Sequence, residues 1–371
     1  MNKPLKVGVV GIRGIGQNHC RCHDSSPHAK LIAVADAVKA RAEETAVKHN
    51  CKAYASLKEM LAAHPDLDIV DVTTGGFENG GWHFEPVMEA IAAGRNVLVE
   101  KPISNEIAEA REMVRFAAEK GVYLGCNLNH FFTEPARQAR KLMDDGRIGE
   151  QIYCLHRMGF IGGEATYKPG AGANFDGFPY SHVKAFLAHP FSLMRHFCGD
   201  ITHVQAFMDK PGCRRSASDL MLSVASIHVR FANGAMGYMF SQRGDATMGL
   251  GGWWSFELGG TKGTLCIENC VEKLTYYPAP KPDEKFDLGE QPAPEVTLSG
   301  EKDFNATFPV RIHAFLEDVA NQVPKNRLRA SGRDALATLE YTFAAIESHE
   351  QGGALVRPHP LPPLKRDLRD Q

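Results

Sequence analysis

Two short segments hold the groups best suited to chemistry. Gly11-Ile12-Arg13-Gly14-Ile15-Gly16 follows an apolar run, Leu5 to Val10, and Glu100-Lys101-Pro102 follows another, Asn96 to Val99. A glycine turn between a strand and a helix sets unpaired backbone N–H groups and a positive helix end against a pyrophosphate, and glycine lets the backbone approach closely. Asp36 closes the next apolar run, Leu31 to Ala35, twenty residues beyond Gly16. A carboxylate there accepts hydrogen bonds from both hydroxyls of an adenosine ribose and repels a 2′-phosphate, so the pattern favours NAD over NADP. Arg13 stands where the second glycine of G-x-G-x-x-G usually lies. Its head is either solvated above a stem laid on the surface, or set near the adenine or a phosphate, where it softens the preference that Asp36 imposes.

Lys101 suits a proton transfer. Oxidising a secondary alcohol removes a hydride from carbon and a proton from oxygen, so a protein group must take the proton while the coenzyme takes the hydride. An ammonium beside a cationic nicotinamide, shielded from water, gives up its own proton more readily. The alternative is a structural pair with Glu100.

These residues need a frame. Helical stretches at Ile15–His23, Val38–His49, Leu57–Ala63, His83–Ala93 and Ser104–Lys120 alternate with short apolar runs at Lys52–Tyr54, Ile69–Thr73, Asn96–Val99 and Val122–Gly125. Strands that alternate with helices imply a parallel, doubly wound sheet, because parallel neighbours need crossovers. Ligands of such sheets bind at the carboxyl ends of the strands, which puts the glycine turn and Glu100-Lys101 in one crevice. The second half changes character. Strand candidates at Ile152–Phe160, Val204–Met208, Leu220–Phe231, Ala235–Ser241, Trp253–Leu258, Thr264–Ile267 and Lys273–Tyr277 are separated by Gly, Asn and Asp, and Asn233-Gly234 signals a hairpin. Helices are expected at Phe308–Asn321 and Arg333–His349, a loop at Pro278–Pro294, and an extended arm from Pro358.

Gly11 to Gly16, Asp36, Thr73-Thr74, His83, Glu100-Lys101-Pro102 and Gly259-Gly260-Thr261-Lys262-Gly263 together resemble the glucose-fructose oxidoreductase, inositol dehydrogenase and MocA (Gfo/Idh/MocA) family. The resemblance runs along nearly the whole chain. It implies an α/β protein with a Rossmann domain at 1–127 that binds NAD, and a substrate-binding and oligomerisation domain at 128–371. The latter is an α+β domain with a large, mostly antiparallel open sheet. Coenzyme contacts are implied for Gly11, Arg13, Gly14, Ile15, Gly16 and Asp36, and for Thr73, Thr74, His83, Glu100, Lys101 and Asn129. In that family the lysine of E-K-P reaches both nicotinamide and substrate, and the Lys-Pro bond is often cis. The implied substrate is a cyclic polyol, sugar or sugar derivative, and the implied assembly a homo-oligomer, dimer or tetramer, joined through the open sheet.

Three departures from the family pattern stand out. Its Asp-x-x-x-His-x-x-Asp element aligns the catalytic histidine with His189, but the aspartate positions hold Ala185 and Ser192. Another group must then orient the imidazole, and Tyr180, His182, Lys184 and Asp176 are candidates. Thr73 to His83 is longer and richer in glycine than the usual T-P-N-x-x-H, with Phe77 and Trp82 able to cover the coenzyme. Finally, His130 stands where an arginine is common, which points to altered substrate contacts. Substrate binding is thus assigned to Lys101, His130, Tyr180, His182, Lys184 and His189. His182, His189 and His196 recur every seven residues, but Pro190 is expected to start a helix and leave His182 outside it, so no metal site is inferred.

Composition narrows the alternatives. A chain of 371 residues with 43% hydrophobic content suits two ordinary domains. A net charge of −2 leaves no electrostatic footprint for nucleic acid or an anionic membrane. The nine cysteines include no C-x-x-C pair, and no leader precedes the first strand, so reduced thiols in the cytoplasm are expected. Two other functions fit the same features: glycoside cleavage through transient oxidation and elimination, and a non-catalytic dinucleotide-binding regulator.

Overall fold

The computed structural model describes residues 3–75, 82–159, 179–212, 221–243, 246, 249, 253–280 and 292–363. Phe77, Asp176 and the end of the C-terminal arm lie outside them. Two compact units form: Met1–Asn129 with Phe308–Leu339 and Pro360–Gln371, and His130–Thr307 with Glu340–His359.

In the first unit the apolar runs become β1 (Leu5–Val10), β2 (Ala29–Ala35), β3 (Lys52–Tyr54), β4 (Ile69–Val72), β5 (Asn96–Val99) and β6 (Leu124–Cys126). They pair in parallel in the order β3-β2-β1-β4-β5-β6. Helices α1 (Gly14–Asp24), α2 (Lys39–His49), α3 (Leu57–Ala63), α4 (Phe84–Ala92) and α5 (Ile107–Lys120) make the crossovers. Val7, Val9, Ile69, Val70, Val97 and Leu98 are wholly buried, as strands covered on both faces require. The expected α5 start at Ser104 fails for a local reason. Ser104 Oγ accepts from the Glu106 N–H, a turn that competes with helix until Ile107.

The second unit contains α6 (Glu134–Asp144), β7 (Gln151–Met158), α7 (Ser181–Phe186), α8 (Ala188–Cys198), β8 (Ile201–Asp209), β9 (Val224–Phe231), β10 (Met236–Gln242), β11 (Trp254–Gly260), β12 (Gly263–Glu268), β13 (Lys273–Pro278) and β14 (Glu295–Leu298). Its sheet runs β14-β13-β12-β11-β7-β10-β9-β8, and only β7 and β10 pair in parallel. Asn233-Gly234 does turn a hairpin between β9 and β10, with Gly234 at φ +90°, where a side chain would be strained. β14 was not read from the sequence; its four residues are exposed and pair only at the sheet edge. Nor does Pro190 open its helix. α8 begins at Ala188, because N–H groups of a first helical turn have no partner inside the helix and a proline there removes nothing.

The last two α-helices among the described residues are α9 (Thr307–Ala320) and α10 (Gly332–Glu350). From Phe308 to Leu339 it returns to the first unit and covers the edge strand β6. Cys126 N–H donates to Ala330 O, and the fully buried Arg311 donates to Cys126 O and Ala330 O. A Cβ on Gly125 would stand 2.7 Å from the Phe315 ring, so glycine is what lets α9 lie so close. Covering the edge removes a row of unpaired backbone groups.

Candidate functional site

The glycine turn is tight on one side and open on the other. Gly11 has φ +91°, and a Cβ on it would lie 2.6 Å from the Thr74 backbone. One on Gly16 would lie 2.2 Å from Gly11 O and 2.8 Å from Thr73 Oγ1. Thr73 Oγ1 donates to Gly11 O at 2.8 Å, tying β4 to the turn. At Gly14, by contrast, a Cβ would meet nothing within 4 Å, and Arg13, Gly14 and Ile15 are exposed at the start of α1. An open, N–H-rich helix start over a packed glycine turn fits the pyrophosphate of a dinucleotide. Asp36, nearly buried, reinforces the turn, because its Oδ2 accepts from the Ile12 N–H at 2.8 Å.

Glu100 and Lys101 sit where β5 ends, and the Lys101-Pro102 peptide is cis, as the family resemblance suggested. Glu100 is engaged from several sides. Oε1 accepts from Asn127 Nδ2 and pairs with His19 Nε2 at 3.0 Å, while Oε2 accepts from the Lys101 N–H at 3.0 Å. His19 Nδ1 meets Asp71 Oδ2 at 2.8 Å, and His23 Nε2 meets the same oxygen at 2.6 Å. Burial works against a proton on His19, but the Asp71 and Glu100 carboxylates overcome it and raise its pKa to about 10. In turn, despite burial, the histidines hold Asp71 well below the usual carboxylate range, and His19 holds Glu100 down. Glu100 is therefore committed to an internal ion pair. His83 Nδ1 donates to Pro102 O at 2.9 Å, and burial favours its neutral ring. Thr74 Oγ1 donates to Trp82 O at 2.7 Å, and Asn129 is buried at the end of the unit.

In the second unit the structure brings His130 and His189 together. Their rings stack with centroids 4.0 Å apart, and Trp254 packs edge-on to both, at 4.5 and 5.6 Å. Ser192, at an aspartate position of the family, donates to His189 O at 2.7 Å, and Ala185 is buried. The other substrate candidates have different neighbours. Tyr180 OH donates to Glu350 Oε1, His182 Nε2 meets Ser241 Oγ at 2.8 Å, and the Lys184 ammonium lies over the Phe343 ring. His196 stacks on Phe131, so the three histidines spaced seven apart pack against three separate groups.

Sequence reading passed over His19, Asp71 and Arg41, whose Nη1 donates to both oxygens of Asp36 at 3.0 Å. The signals were present: His19 and His23 lie four apart on the inner side of α1, and Asp71 interrupts a continuous apolar strand. A buried acid inside such a strand calls for a cationic partner.

Comparison with known proteins agrees with this architecture. The family described as "Oxidoreductase family, NAD-binding Rossmann fold" matches residues 5–128, and the "GFO/IDH/MocA C-terminal domain" matches residues 136–266. An uncharacterized oxidoreductase, YrbE, of Bacillus subtilis (strain 168) is 24% identical over 72% of this chain and 75% of its own. Inositol 2-dehydrogenase of Rhizobium meliloti (strain 1021) is 29% identical over 39% of this chain and 42% of its own length. Among solved structures, a levoglucosan dehydrogenase in complex with NADH superposes with TM-score 0.80 at 18% identity, covering 97% of this chain and 100% of that one. The chain belongs to the Gfo/Idh/MocA family of oxidoreductases, built on an NAD-binding Rossmann fold.

Proposed function

We propose that this oxidoreductase oxidises a secondary hydroxyl of a cyclic polyol, sugar or sugar derivative, or reduces the corresponding ketone. The first unit carries the coenzyme and the second the substrate. The Glu100 network carries the reading: with that carboxylate bound to His19, Asn127 and the Lys101 N–H, Lys101 is the group of this segment suited to take the alcohol proton. Bound NAD supplies the hydride acceptor. The first-turn N–H groups of α1 hold its pyrophosphate, and within the second unit His189, stacked on His130, is the candidate for binding substrate. The inositol 2-dehydrogenase and levoglucosan dehydrogenase among its relatives support a cyclic substrate.

An oligomer is proposed through the second unit. Phe207, Met236, Leu155 and Tyr277 are exposed on one face of its sheet among His228, Arg230 and Glu257, and large apolar side chains of this kind suit burial against another subunit. Free thiols among the described cysteines suit a reducing cytoplasm. Among the described residues no helix is long and apolar enough to cross a membrane.

The test is NADH formation from NAD⁺ with a panel of inositols, hexoses and their anhydro derivatives as hydride donors. Oxidation of at least one is expected, with Lys101→Met lowering kcat by about 10²- to 10⁴-fold while NAD still binds. Full turnover by Lys101→Met would overturn the assignment. Glycoside consumed without NADH accumulating would mean transient oxidation and elimination instead.

A further inference from the structure

His19 has no task in the function proposed above, yet it is tied to the segment that carries Lys101. It lies on α1 five residues after Gly14, about 7.5 Å along the helix from the glycine turn. Both of its ring nitrogens face carboxylates: Nδ1 meets Asp71 Oδ2 at 2.8 Å, and Nε2 meets Glu100 Oε1 at 3.0 Å. A neutral imidazole has a single N–H, so both bonds form only with the imidazolium. The second oxygen of Glu100 accepts from the Lys101 N–H at 3.0 Å. One chain of contacts thus runs from Asp71 on β4, through α1, to the backbone of Lys101.

The surroundings hold this chain of contacts in place. His19, His23 and Asp71 are wholly buried. His23 Nε2 meets Asp71 Oδ2 at 2.6 Å, so α1 grips that carboxylate from two successive turns. Phe308 of α9 packs edge-on to the His19 ring with centroids 5.9 Å apart, and Asn127 Nδ2 donates to Glu100 Oε1. Stability alone does not call for charges here, since well-packed apolar side chains in place of a buried ion group are often as stable or more so. What an ionic chain adds is direction, because each charge-assisted hydrogen bond fixes the angle as well as the distance of the next group.

We infer that His19 is a positioning residue: by bonding Asp71 and Glu100 at once it sets the Glu100 carboxylate, and through the Lys101 N–H the direction in which the Lys101 side chain leaves the end of β5. The helix that carries His19 begins at the proposed pyrophosphate site, so the same contact fixes Lys101 relative to the coenzyme. The inference rests on Lys101 being the group that takes the alcohol proton. A proton acceptor displaced by about 1 Å loses rate while both ligands still bind, so the effect belongs in kcat.

The experiment is steady-state oxidation of the inositols, hexoses and anhydrohexoses named above, with NAD⁺ binding by calorimetry, on the full chain well below the melting temperature of every variant. The variants are His19→Gln, Asp71→Asn, Lys101→Met and the double substitution His19→Gln with Lys101→Met. Glutamine can donate to one carboxylate but cannot bridge two. His19→Gln is expected to lower kcat by about 10- to 100-fold, with KM and the dissociation constant of NAD⁺ within about threefold of the unaltered protein. In the Lys101→Met background the same substitution changes the remaining rate by less than about threefold, because no ammonium is left to aim. Asp71→Asn, which keeps size and leaves Glu100 and Lys101 in place, lowers kcat in the same way and carries the test if His19→Gln does not fold. Unchanged kcat overturns the inference, and so does an equal loss with and without Lys101, or a loss confined to NAD⁺ affinity. No oxidation of any panel member, or full turnover by Lys101→Met, overturns the proposed function itself. A disabled Lys101→Met beside a fully active His19→Gln sinks the role of His19 alone.

Discussion

The imidazoles of His130 and His189 lie face to face, 4.0 Å between centroids and 12° from parallel, with both residues buried. Ring shape and imidazole chemistry can be separated by substitution. His130→Phe preserves a stacking ring and is expected to change stability by less than about 1.5 kcal/mol. His189→Phe keeps the packing but is expected to lower turnover by about 10²-fold. Thermal melts and steady-state rates together check this; a fully active His189→Phe would leave His189 a packing residue.

The buried ion network gives an alkaline limit to stability. His19 has a folded-state pKa of about 10 against an ordinary 6.5, so its stabilisation is complete below the ordinary value and is lost as pH rises through about 10. The amount at stake is on the order of a few kcal/mol, at about 1.4 kcal/mol per unit. Melting temperatures followed from neutral to alkaline pH should fall for the native protein and stay flatter for His19→Gln, which starts lower. Parallel curves would show that His19 does not hold its proton.

Acid acts elsewhere. His156 is wholly buried in β7, and burial lowers its pKa to about 3. An unfolded chain binds that proton more readily, so the stability contributed by the neutral ring is complete above about pH 6.5 and drains away as pH falls toward 3. His156→Leu should melt less steeply with acidification between those values. An unchanged acid limb would assign the loss to other groups.

Two glycines of the turn should fail in different ways. Gly16→Ala places a Cβ 2.2 Å from Gly11 O, an overlap expected to cost about 1 to 3 kcal/mol of stability. A Cβ at Gly14 meets open space, and Gly14→Val should leave the melting temperature nearly unchanged while weakening NAD binding by tenfold or more, about 1.4 kcal/mol. Undiminished coenzyme affinity in Gly14→Val would mean that the pyrophosphate does not lie on that side.

Much of the fold was legible because its signals are local. Leu5–Val10, Lys52–Tyr54 and Asn96–Val99 have the same bounds in sequence and structure, since short runs bracketed by turn residues leave little choice, and so does the helix Leu57–Ala63. Where a side chain competes with the backbone, as Ser104 does, or an edge strand buries nothing, as at Glu295–Leu298, the pattern carries no periodic signal. The return of Phe308–Leu339 to β6 has no local signal either, because a helix looks the same whichever sheet it covers.

By itself, the sequence determined the alternation of strands and helices, the glycine turn with Asp36 after the next strand, and Lys101 at a strand end. Those features depend on residues close in the chain and on backbone preferences that the residues carry anywhere. Only the tertiary structure decided how the polar groups are spent. His19 and Glu100 are 81 residues apart, yet they share a hydrogen bond in a core where neither could be buried alone. Arg41 on Asp36 and His130 on His189 are equally matters of packing, since which charges are masked and which rings touch is fixed by distance in space.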